Sequence, residues 1–214
     1  MLTWTTDSIL FHFVSEIKIQ DLNGLATSPF EDLSVSKKND DVIELVYTWL
    51  DPVRVRDKIL SREQRSVSCW VFKSEKFICA FSNSESSIAY FMSKLSTIIP
   101  TQFERVFPYD YWKQFYYCEN LNWFAKLTSI HIEKKPTSHD ANEIKKISIK
   151  NITEFELESL FENNSVTNLT FHMEGNSIFY IDKNSVVSFP DTAIENDVFY
   201  TLSALIKEMS RKYA

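Results

Sequence analysis

Glycine is nearly absent from this sequence, and its absence limits the kinds of site that the chain can form. Gly24 and Gly175 are the only two glycines among 214 residues, whereas average usage in proteins is about 7%. Loops that hold phosphate groups need clustered glycines, because only glycine lets backbone amides approach the phosphates closely. A P-loop, a Rossmann nucleotide site and a glycine-flanked nucleophile elbow are therefore excluded in their usual forms.

The composition predicts a folded chain whose core is rich in aromatic rings. Hydrophobic residues make up 44% of the sequence, and 17 Phe, 9 Tyr and 5 Trp supply large apolar side chains that must be buried in a core or against a partner. The formal net charge of -6 argues against a surface built mainly for nucleic acid or anionic lipid, since such binding needs excess Lys and Arg. Only a local basic patch could serve that purpose.

The cysteine pattern predicts a reducing compartment, cytoplasmic or nuclear. Cys69, Cys79 and Cys118 are odd in number, widely spaced and set among apolar neighbours, which does not fit a disulfide scaffold. The first residues lack the basic and apolar segments of a secretory signal, and no apolar run approaches the roughly 18 residues that a membrane helix needs. We therefore expect no membrane association.

The first half of the chain is predicted to follow the order strand, helix, hairpin, helix. β-branched and aromatic residues predict the first strand, and Asp51-Pro52 then provides an N-cap with proline at the first helical position. Apolar residues at helical spacing predict the last helix, which Pro100 ends. The predicted elements are a strand at 42–50, a helix from 52 to about 65, hairpin strands at 67–72 and 77–81, and a helix at 88–98.

The second half is predicted to repeat that order. Thr153 and Glu156 have the spacing of a capping box, which is the strongest helix-start signal in the chain. Asp191 is predicted to cap a C-terminal helix whose apolar residues, including Leu202 and Leu205, form one continuous stripe. The predicted elements are a strand at 144–149, a helix from 153, hairpin strands at 169–173 and 178–181, a further strand at 186–189 and the C-terminal helix.

The repeated order predicts an α+β fold of two similar strand-helix-hairpin-helix units with antiparallel sheet, and a possible internal duplication. The two halves share no convincing residue identity. The predicted domains are residues 1–100 with an N-terminal strand and a long loop at 22–41, an aromatic linker at 101–125, and residues 126–214 with a loop at 134–142; one continuous domain is the alternative.

The chemistry-bearing residues do not form a recognisable catalytic or metal-binding pattern. The histidines at 12, 131, 139 and 172 never fall at zinc-site spacing. The acidic clusters at 40–44 and 154–162 lack the spacing of a calcium loop, and the cysteines have no neighbouring positive charge that would activate a thiolate. His139-Asp140 could orient an imidazole, but no motif places a nucleophile near it. We predict no catalytic residue, metal or cofactor.

A group of basic residues is the first candidate binding site. If residues 52–65 form a helix, intervals of 4, 4 and 3 place these side chains on one face, with Arg56 nearby. Such a stripe could bind phosphates or an acidic partner, or it could be a solvated helix face that Asp57 and Glu63 partly neutralise. The candidate residues are Arg54, Lys58, Arg62 and Arg65.

The hairpin at 67–81 is the second candidate, because its strands are apolar on both faces. In an antiparallel sheet with one face in water, apolar and polar residues should alternate, but 69–72 and 77–81 are continuous apolar runs. Either this chain's own N-terminal segment and aromatic linker cover the second face, or a partner subunit docks on exposed aromatic surface.

These observations favour a non-catalytic binding or assembly subunit, or adaptor, of an intracellular multiprotein complex. Its partner would be another protein subunit or a second copy of the chain. One alternative is a nucleic-acid-associated protein that uses the basic stripe, and another is an enzyme with unfamiliar motifs. Protein association would be insensitive to salt, nucleic-acid binding would weaken steeply with salt, and an enzyme would have a concave pocket with perturbed titratable groups.

Overall fold

The computed structural model describes residues 7–22, 24–55, 58–117, 123–134, 143–163, 165–175 and 177–213. Two units divide the chain, Met1–Val106 and Phe107–Ala214, so the boundary falls inside the aromatic segment 101–125. Both units combine helices with antiparallel strands, as the sequence predicts. Within the described ranges, no helix is both long and apolar enough to cross a membrane.

The first unit is built on a sheet with the strand order β2-β3-β4-β5-β1, in which every pair is antiparallel. Strand β6 also pairs with β1. Helix α2 packs on one face, where Phe91 lies 5.8 Å from the ring of Tyr47. The elements are β1 (Asp7–Phe13), α1 (Ile19–Leu22), β2 (Glu31–Lys37), β3 (Val42–Val55), β4 (Lys58–Phe72), β5 (Phe77–Phe81), α2 (Glu85–Ile98) and β6 (Phe103–Arg105).

The helix predicted from Pro52 to Arg65 is wrong, because both segments belong to the long β3–β4 hairpin. Pro52 pairs with Arg62 in the register of this hairpin. The proline is tolerated because the pairing of β2 with β3 ends near Trp49, so no neighbour on that side needs the missing N–H. Residues 61–64 are all exposed, so this part of the ribbon shows none of the apolar alternation that would have revealed a strand.

Two other predictions for the first unit have different outcomes. The segment 22–41, predicted as a loop, contains β2, whose Leu33 and Val35 are half-buried and alternate with exposed polar residues. The hairpin prediction is confirmed, since β4 and β5 pair from Ser68↔Phe81 to Phe72↔Phe77. Its turn places Lys76 at φ 60°, a conformation that glycine usually provides.

The second unit has the strand order β11-β10-β9-β7-β8, again antiparallel for the pairs that join β10 to β11, β9 to β10, β7 to β9 and β7 to β8. Strand β8 therefore lies at one edge of this sheet. The elements are α3 (Pro108–Tyr117), β7 (Ala125–Lys134), β8 (Glu143–Ser148), a short 3-10 helix (Ile149–Asn151), α4 (Glu154–Glu162), β9 (Val166–Met173), β10 (Ile178–Asp182), β11 (Val187–Ser188) and α5 (Glu195–Tyr213).

An aromatic core joins the helices of the second unit to its sheet. Trp112 of α3 lies 5.8 Å from the ring of Phe161 in α4 and 5.5 Å from that of Phe171 in β9. Phe171 stacks on Phe179 of β10 at 5.1 Å. Trp112, in the aromatic segment 101–125, is therefore a core residue. It lies on α3, a helix that the sequence did not predict.

The capping box is confirmed, and the predicted start of the last helix is wrong. The hydroxyl of Thr153 accepts the backbone N–H of Glu156 at 3.3 Å, while the Thr153 N–H donates to the Glu156 carboxylate at 2.9 Å. Helix α5 begins at Glu195 rather than at the predicted cap, Asp191. Residues 190–194 form a separate turn, in which the Ala193 N–H bonds to the Pro190 carbonyl.

The structure does not confirm the predicted internal duplication. The order strand, helix, hairpin, helix is present in the second unit as β8, α4, β9–β10 and α5. In the first unit the corresponding first helix is replaced by strand, because residues 58–72 form β4. The predicted loop at 134–142 falls almost entirely on residues outside the described ranges.

The buried stripe of α5 gives a direct test of the fold. Leu202 is fully buried, whereas Tyr200 on the same helix is 64% exposed. We expect Leu202→Asp to abolish soluble expression, because an uncompensated buried carboxylate costs several kcal/mol, on the order of total stability. Tyr200→Asp, the control, should cost less than about 1 kcal/mol in a thermal or denaturant melt. A stable, soluble Leu202→Asp protein would contradict the placement of α5.

Candidate functional site

The basic residues predicted to share a helix face lie instead on two strands. Arg54 belongs to β3, and Lys58, Arg62 and Arg65 belong to β4. Side chains in a strand alternate between faces, so Arg62 and Arg65, three residues apart, point to opposite faces. The side chains of Arg54 and Lys58, and all of Arg56, lie outside the described part of the structure.

Arg62 and Arg65 contact other residues of the first unit. The guanidinium of Arg62 lies over the ring of Phe30, 4.5 Å from its centroid. Arg65 forms an ion pair with Glu63 at 2.8 Å and a longer one with Asp51 at 3.9 Å. Arg62 and Arg65 therefore do not share the single basic face on which the anion-binding hypothesis rested, and binding by these residues stays a prediction.

A small aromatic surface surrounds Arg65. Trp49 packs against Tyr90 of α2, with the ring centroids 4.9 Å apart. A shallow cavity of about 320 Å³ lies beside them. It is lined by Trp49, Leu50, Asp51, Arg65, Ser86, Ser87 and Tyr90.

A partly buried ionic network holds the edge strand β2 against α2 beside that surface. Lys94 forms an ion pair with Glu31 and donates to the Tyr47 hydroxyl at 2.8 Å. Burial by itself would raise the pKa of Glu31, but hydrogen bonds from Lys94, Tyr47 and the backbone N–H groups of residues 27 and 28 lower it to about 2. Burial and the Glu31 carboxylate both raise the pKa of Tyr47.

The low pKa of Glu31 predicts a specific dependence of stability on pH. Because the folded pKa is lower than the unfolded one, the contribution of Glu31 is complete above about pH 4.5 and is lost as the pH falls toward about 2. Glu31→Gln should lower the free energy of unfolding at pH 7 by up to about 3 kcal/mol. It should also flatten the dependence between those two pH values.

Denaturant unfolding at several pH values measures this effect. Asp32→Asn, which removes the exposed neighbouring carboxylate, is the control. If wild type and Glu31→Gln lose stability in parallel between pH 4.5 and pH 2, Glu31 does not carry the predicted contribution.

The aromatic surface predicted on the hairpin at 67–81 is not exposed. Residues 69–72 and 77–81 are buried on both faces of the sheet. Trp70 donates its indole N–H to the Glu44 carboxylate at 3.0 Å and packs edge-on against Phe81. Lys38 lies over the Trp70 ring at 4.3 Å. These strands are core, so a partner-binding surface has to be sought elsewhere.

The two buried thiols of the described residues are poorly suited to nucleophilic chemistry. Burial raises the pKa of both Cys69 and Cys79, which keeps the thiols protonated. Burial lowers the pKa of His12 and His131. Cys118 and the His139-Asp140 dipeptide lie outside the described residues, and among those described no group of three His, Cys, Asp or Glu side chains could hold a metal ion.

The thiol environment can be tested directly. We expect Cys69 and Cys79 to resist iodoacetamide in the native protein at pH 8, because the reactive thiolate is scarce and access is blocked. Both should react after unfolding in guanidinium chloride. Peptide mass mapping distinguishes them from Cys118, and rapid native labelling of either residue would show that its surroundings are more open than described.

A groove between β8 and α4 exposes apolar side chains in the second unit. Residues 152, 155 and 159 are three or four positions apart, as are residues 152, 156 and 160, so they share one face of α4 and its N-terminal approach. That face and β8 enclose about 610 Å³. We call this the edge groove; it is lined by Lys145, Lys146, Ile147, Ser148, Asn151, Ile152, Phe155, Glu156, Ser159 and Leu160.

The edge groove combines exposed apolar side chains with positive charge. Phe155 is 79% exposed at the groove, and Ile144, on the adjoining strand, is 66% exposed. Lys145 and Lys146 are exposed on β8. Burial lowers the pKa of His131, and the positive charge of Lys146, which pairs with His131 across β7 and β8, lowers it further. The strand side of the groove is positive because Lys145 and Lys146 line it. The Glu156 carboxylate lies on the helix side, where it is held in the capping box.

Sequence reasoning missed this groove, although one signal for it is present. The sequence predicts both the strand and α4, and acidic residues in the first turn of a helix are favoured by the helix dipole, which gives no reason to look for a site there. Leu157 and Phe161 are the buried residues of α4, and Phe155 lies off their stripe. An aromatic residue off the buried stripe of a helix marks an exposed contact, but its position beside a strand edge requires the tertiary structure.

A second cavity in the same unit belongs largely to the aromatic core. It has a volume of about 600 Å³ and includes Trp112, Tyr116, Trp123 and Phe124 in its lining. Phe124 stacks on Phe179 at 5.7 Å, and Trp112 is buried. Residues 118–122 lie outside the described part of the chain.

Comparison with known proteins adds no functional assignment. No protein-family model matches the sequence, and no curated protein is significantly similar to it.

Proposed function

We propose that this protein is a non-catalytic binding or assembly subunit of an intracellular multiprotein complex and that it holds its partner in the edge groove. The observation that carries this proposal is the exposure of Phe155 and Ile144 beside the open edge of a sheet. Aromatic side chains are enriched in protein interfaces and dominate their energetics. A Phe that projects into water by four-fifths of its surface is a suitable anchor for such a contact.

The dimensions of the edge groove favour a short segment of a partner over a globular surface. Strand β8 has six residues, which corresponds to a length of about 20 Å. A standard interface between two globular proteins buries about 800 Å² on each side, which is more than a groove of this size offers alone. A partner that contributes an extended segment would use the whole groove.

The reducing compartment is part of the same proposal. Cys69 and Cys79 are free thiols buried in the first unit. This supports folding without a disulfide between them, which is the usual state of proteins in the cytoplasm and nucleus.

Phe155→Ser tests the proposed function. The substitution removes an exposed side chain, so the free energy of unfolding should change by less than about 0.5 kcal/mol. Affinity purification from the native source should nevertheless recover much less of any partner that wild type retains. Loss of an aromatic anchor typically weakens an interface by about 2 kcal/mol or more, or about thirtyfold.

Tyr200→Ser is the matched control, because Tyr200 is an exposed aromatic residue on another helix of the same unit. Its partners should be recovered as with wild type, and raising the salt to 0.5 M should reduce recovery far less than the steep loss that is typical of nucleic-acid binding. Equal recovery by the Phe155 and Tyr200 variants, or a steep loss with salt, would contradict binding through the apolar groove.

A further inference from the structure

We propose that β8 binds an extended acidic segment of another polypeptide, which adds to the sheet as a further strand with the pattern apolar–acidic–acidic–apolar. This inference rests on the proposed function and specifies the chemistry of the partner. Two independent features of the structure lead to it: the open backbone edge of β8 and the order of side chains along that strand.

The backbone edge provides the hydrogen bonds. All six residues of β8 pair with β7, from Ser129↔Ser148 to Lys134↔Glu143. No other described strand pairs with β8, which ends the sheet order of the second unit. Alternate residues of an antiparallel edge strand direct their N–H and C=O groups away from the neighbouring strand. An extended peptide can satisfy these groups, which is the common mechanism of strand addition.

The side chains of β8 specify the sequence of the added strand. Residues 144–147 read Ile144, Lys145, Lys146 and Ile147. Directly opposed residues on neighbouring strands interact, and opposite charges or apolar pairs are favourable. The complementary strand therefore has acidic residues opposite the two lysines and apolar residues opposite the two isoleucines. This pattern is the same in both directions, so it does not depend on whether the strand runs parallel or antiparallel.

The two faces of the added strand would meet different surroundings. Ile147 lines the groove and is half-buried. Lys145 lies two residues away and shares its face, while Ile144 and Lys146 lie on the other face. An apolar residue opposite Ile147 would enter the groove and reach Phe155 and Leu160 on α4. The exposed Phe155 would then be covered.

A second copy of β8 is a poor occupant. When two β8 strands pair antiparallel over all six residues, Lys145 lies opposite Lys146 twice, and like charges directly opposed are destabilising. Lysine on an edge strand is a common way of preventing self-pairing. The same lysines attract an acidic strand, so one feature accounts for both effects.

Strand β2, which is also an open edge among the described strands, is a weaker candidate than an acidic segment of another polypeptide for pairing with β8. Its first residues, Glu31 and Asp32, follow Phe30 and precede Leu33, so they have the complementary pattern. However, the Glu31 carboxylate already forms an ion pair with Lys94 in the partly buried network, so it is not available to a lysine of β8 in another copy. If β2 of one copy paired with β8 of another copy, the interface would be head-to-tail. Head-to-tail interfaces produce rings or open filaments.

Fluorescence anisotropy with a labelled synthetic peptide tests the inference. The probe has ten residues with valine–glutamate–glutamate–valine at its centre and threonine elsewhere, and the comparison peptide has lysine for both glutamates. We expect saturable binding of the acidic probe and at least about tenfold weaker binding of the lysine peptide. Lys145→Glu with Lys146→Glu should reverse this preference. Lys37→Glu with Lys207→Glu, which alters two exposed lysines elsewhere, should leave it unchanged.

Backbone methylation of the probe distinguishes strand addition from simple charge attraction. Two probes carry N-methyl groups on alternate residues, one set on each edge of the extended peptide. Only the set that faces β8 should abolish binding, because it removes the donors to the open edge. Equal binding of the two methylated probes would overturn strand addition, as would the absence of saturable binding of the acidic probe at 1 mM.

Two further results separate this inference from the proposed function. If Phe155→Ser loses its partner while no acidic probe binds wild type, the groove binds a partner of different chemistry and only the present inference fails. Sedimentation analysis tests whether a second copy of the chain occupies the edge. If wild type self-associates, and Asp32→Lys or the double variant of Lys145 and Lys146 abolishes this self-association, then β2 of another copy occupies the edge. That result would overturn the assignment to another polypeptide.

Discussion

Antiparallel pairing between β3 and β4 is the interaction on which the first unit depends. At the end away from its turn, where Val42 pairs with Phe72, the hairpin has β2 on one side and β5 on the other and forms the centre of the sheet. Beyond Trp49 it continues as a two-stranded ribbon toward Val55 and Lys58. Pairing in this ribbon, rather than the capping signal at Asp51-Pro52, decides the conformation of the basic residues and places Arg62 and Arg65 on opposite faces.

Aromatic packing has the corresponding role in the second unit. Trp112 contacts rings on α4 and on β9, so the helix α3 is fixed by the same cluster that joins α4 to the sheet. Burial of several large rings together provides more stabilisation than the propensity of a ten-residue helix could. The near-absence of glycine is compatible with this architecture, because long paired strands and ring-filled cores need few left-handed positions. Lys76 and Ser185 supply two of them without glycine.

Open strand edges connect the fold to the proposed function. In each unit one terminal strand, β2 or β8, has a partner on only one side among the described residues. The network of Glu31, Lys94 and Tyr47 secures β2 against α2, whereas β8 faces a groove that α4 lines with exposed apolar groups. The lysines of β8 disfavour pairing with a like strand and favour an acidic one. Specificity at this edge would thus arise from the same charges that keep the edge from aggregating.

The sequence by itself determined the elements whose signals are local. The capping box at Thr153, the apolar stripe of α5, the β4–β5 hairpin and the mixed α/β class with antiparallel strands all follow from spacing within a few residues. The glycine content excluded the common nucleotide-binding loops, because their backbone conformation requires specific residues. These features depend on neighbours in the chain, and such neighbours are visible in the sequence.

Tertiary structure alone decided the features that depend on distant partners. Residues 61–64 are strand because β3 pairs with them, although all four are exposed and no apolar alternation marks them. Trp112 of α3 is a core residue because its ring packs against rings of α4 and β9. The edge groove exists because β8 ends its sheet beside the face of α4 that carries Phe155, and no local pattern records which strand lies at an edge. Sequence spacing specifies a local conformation, but the partner of each surface is fixed only when separate segments pack together.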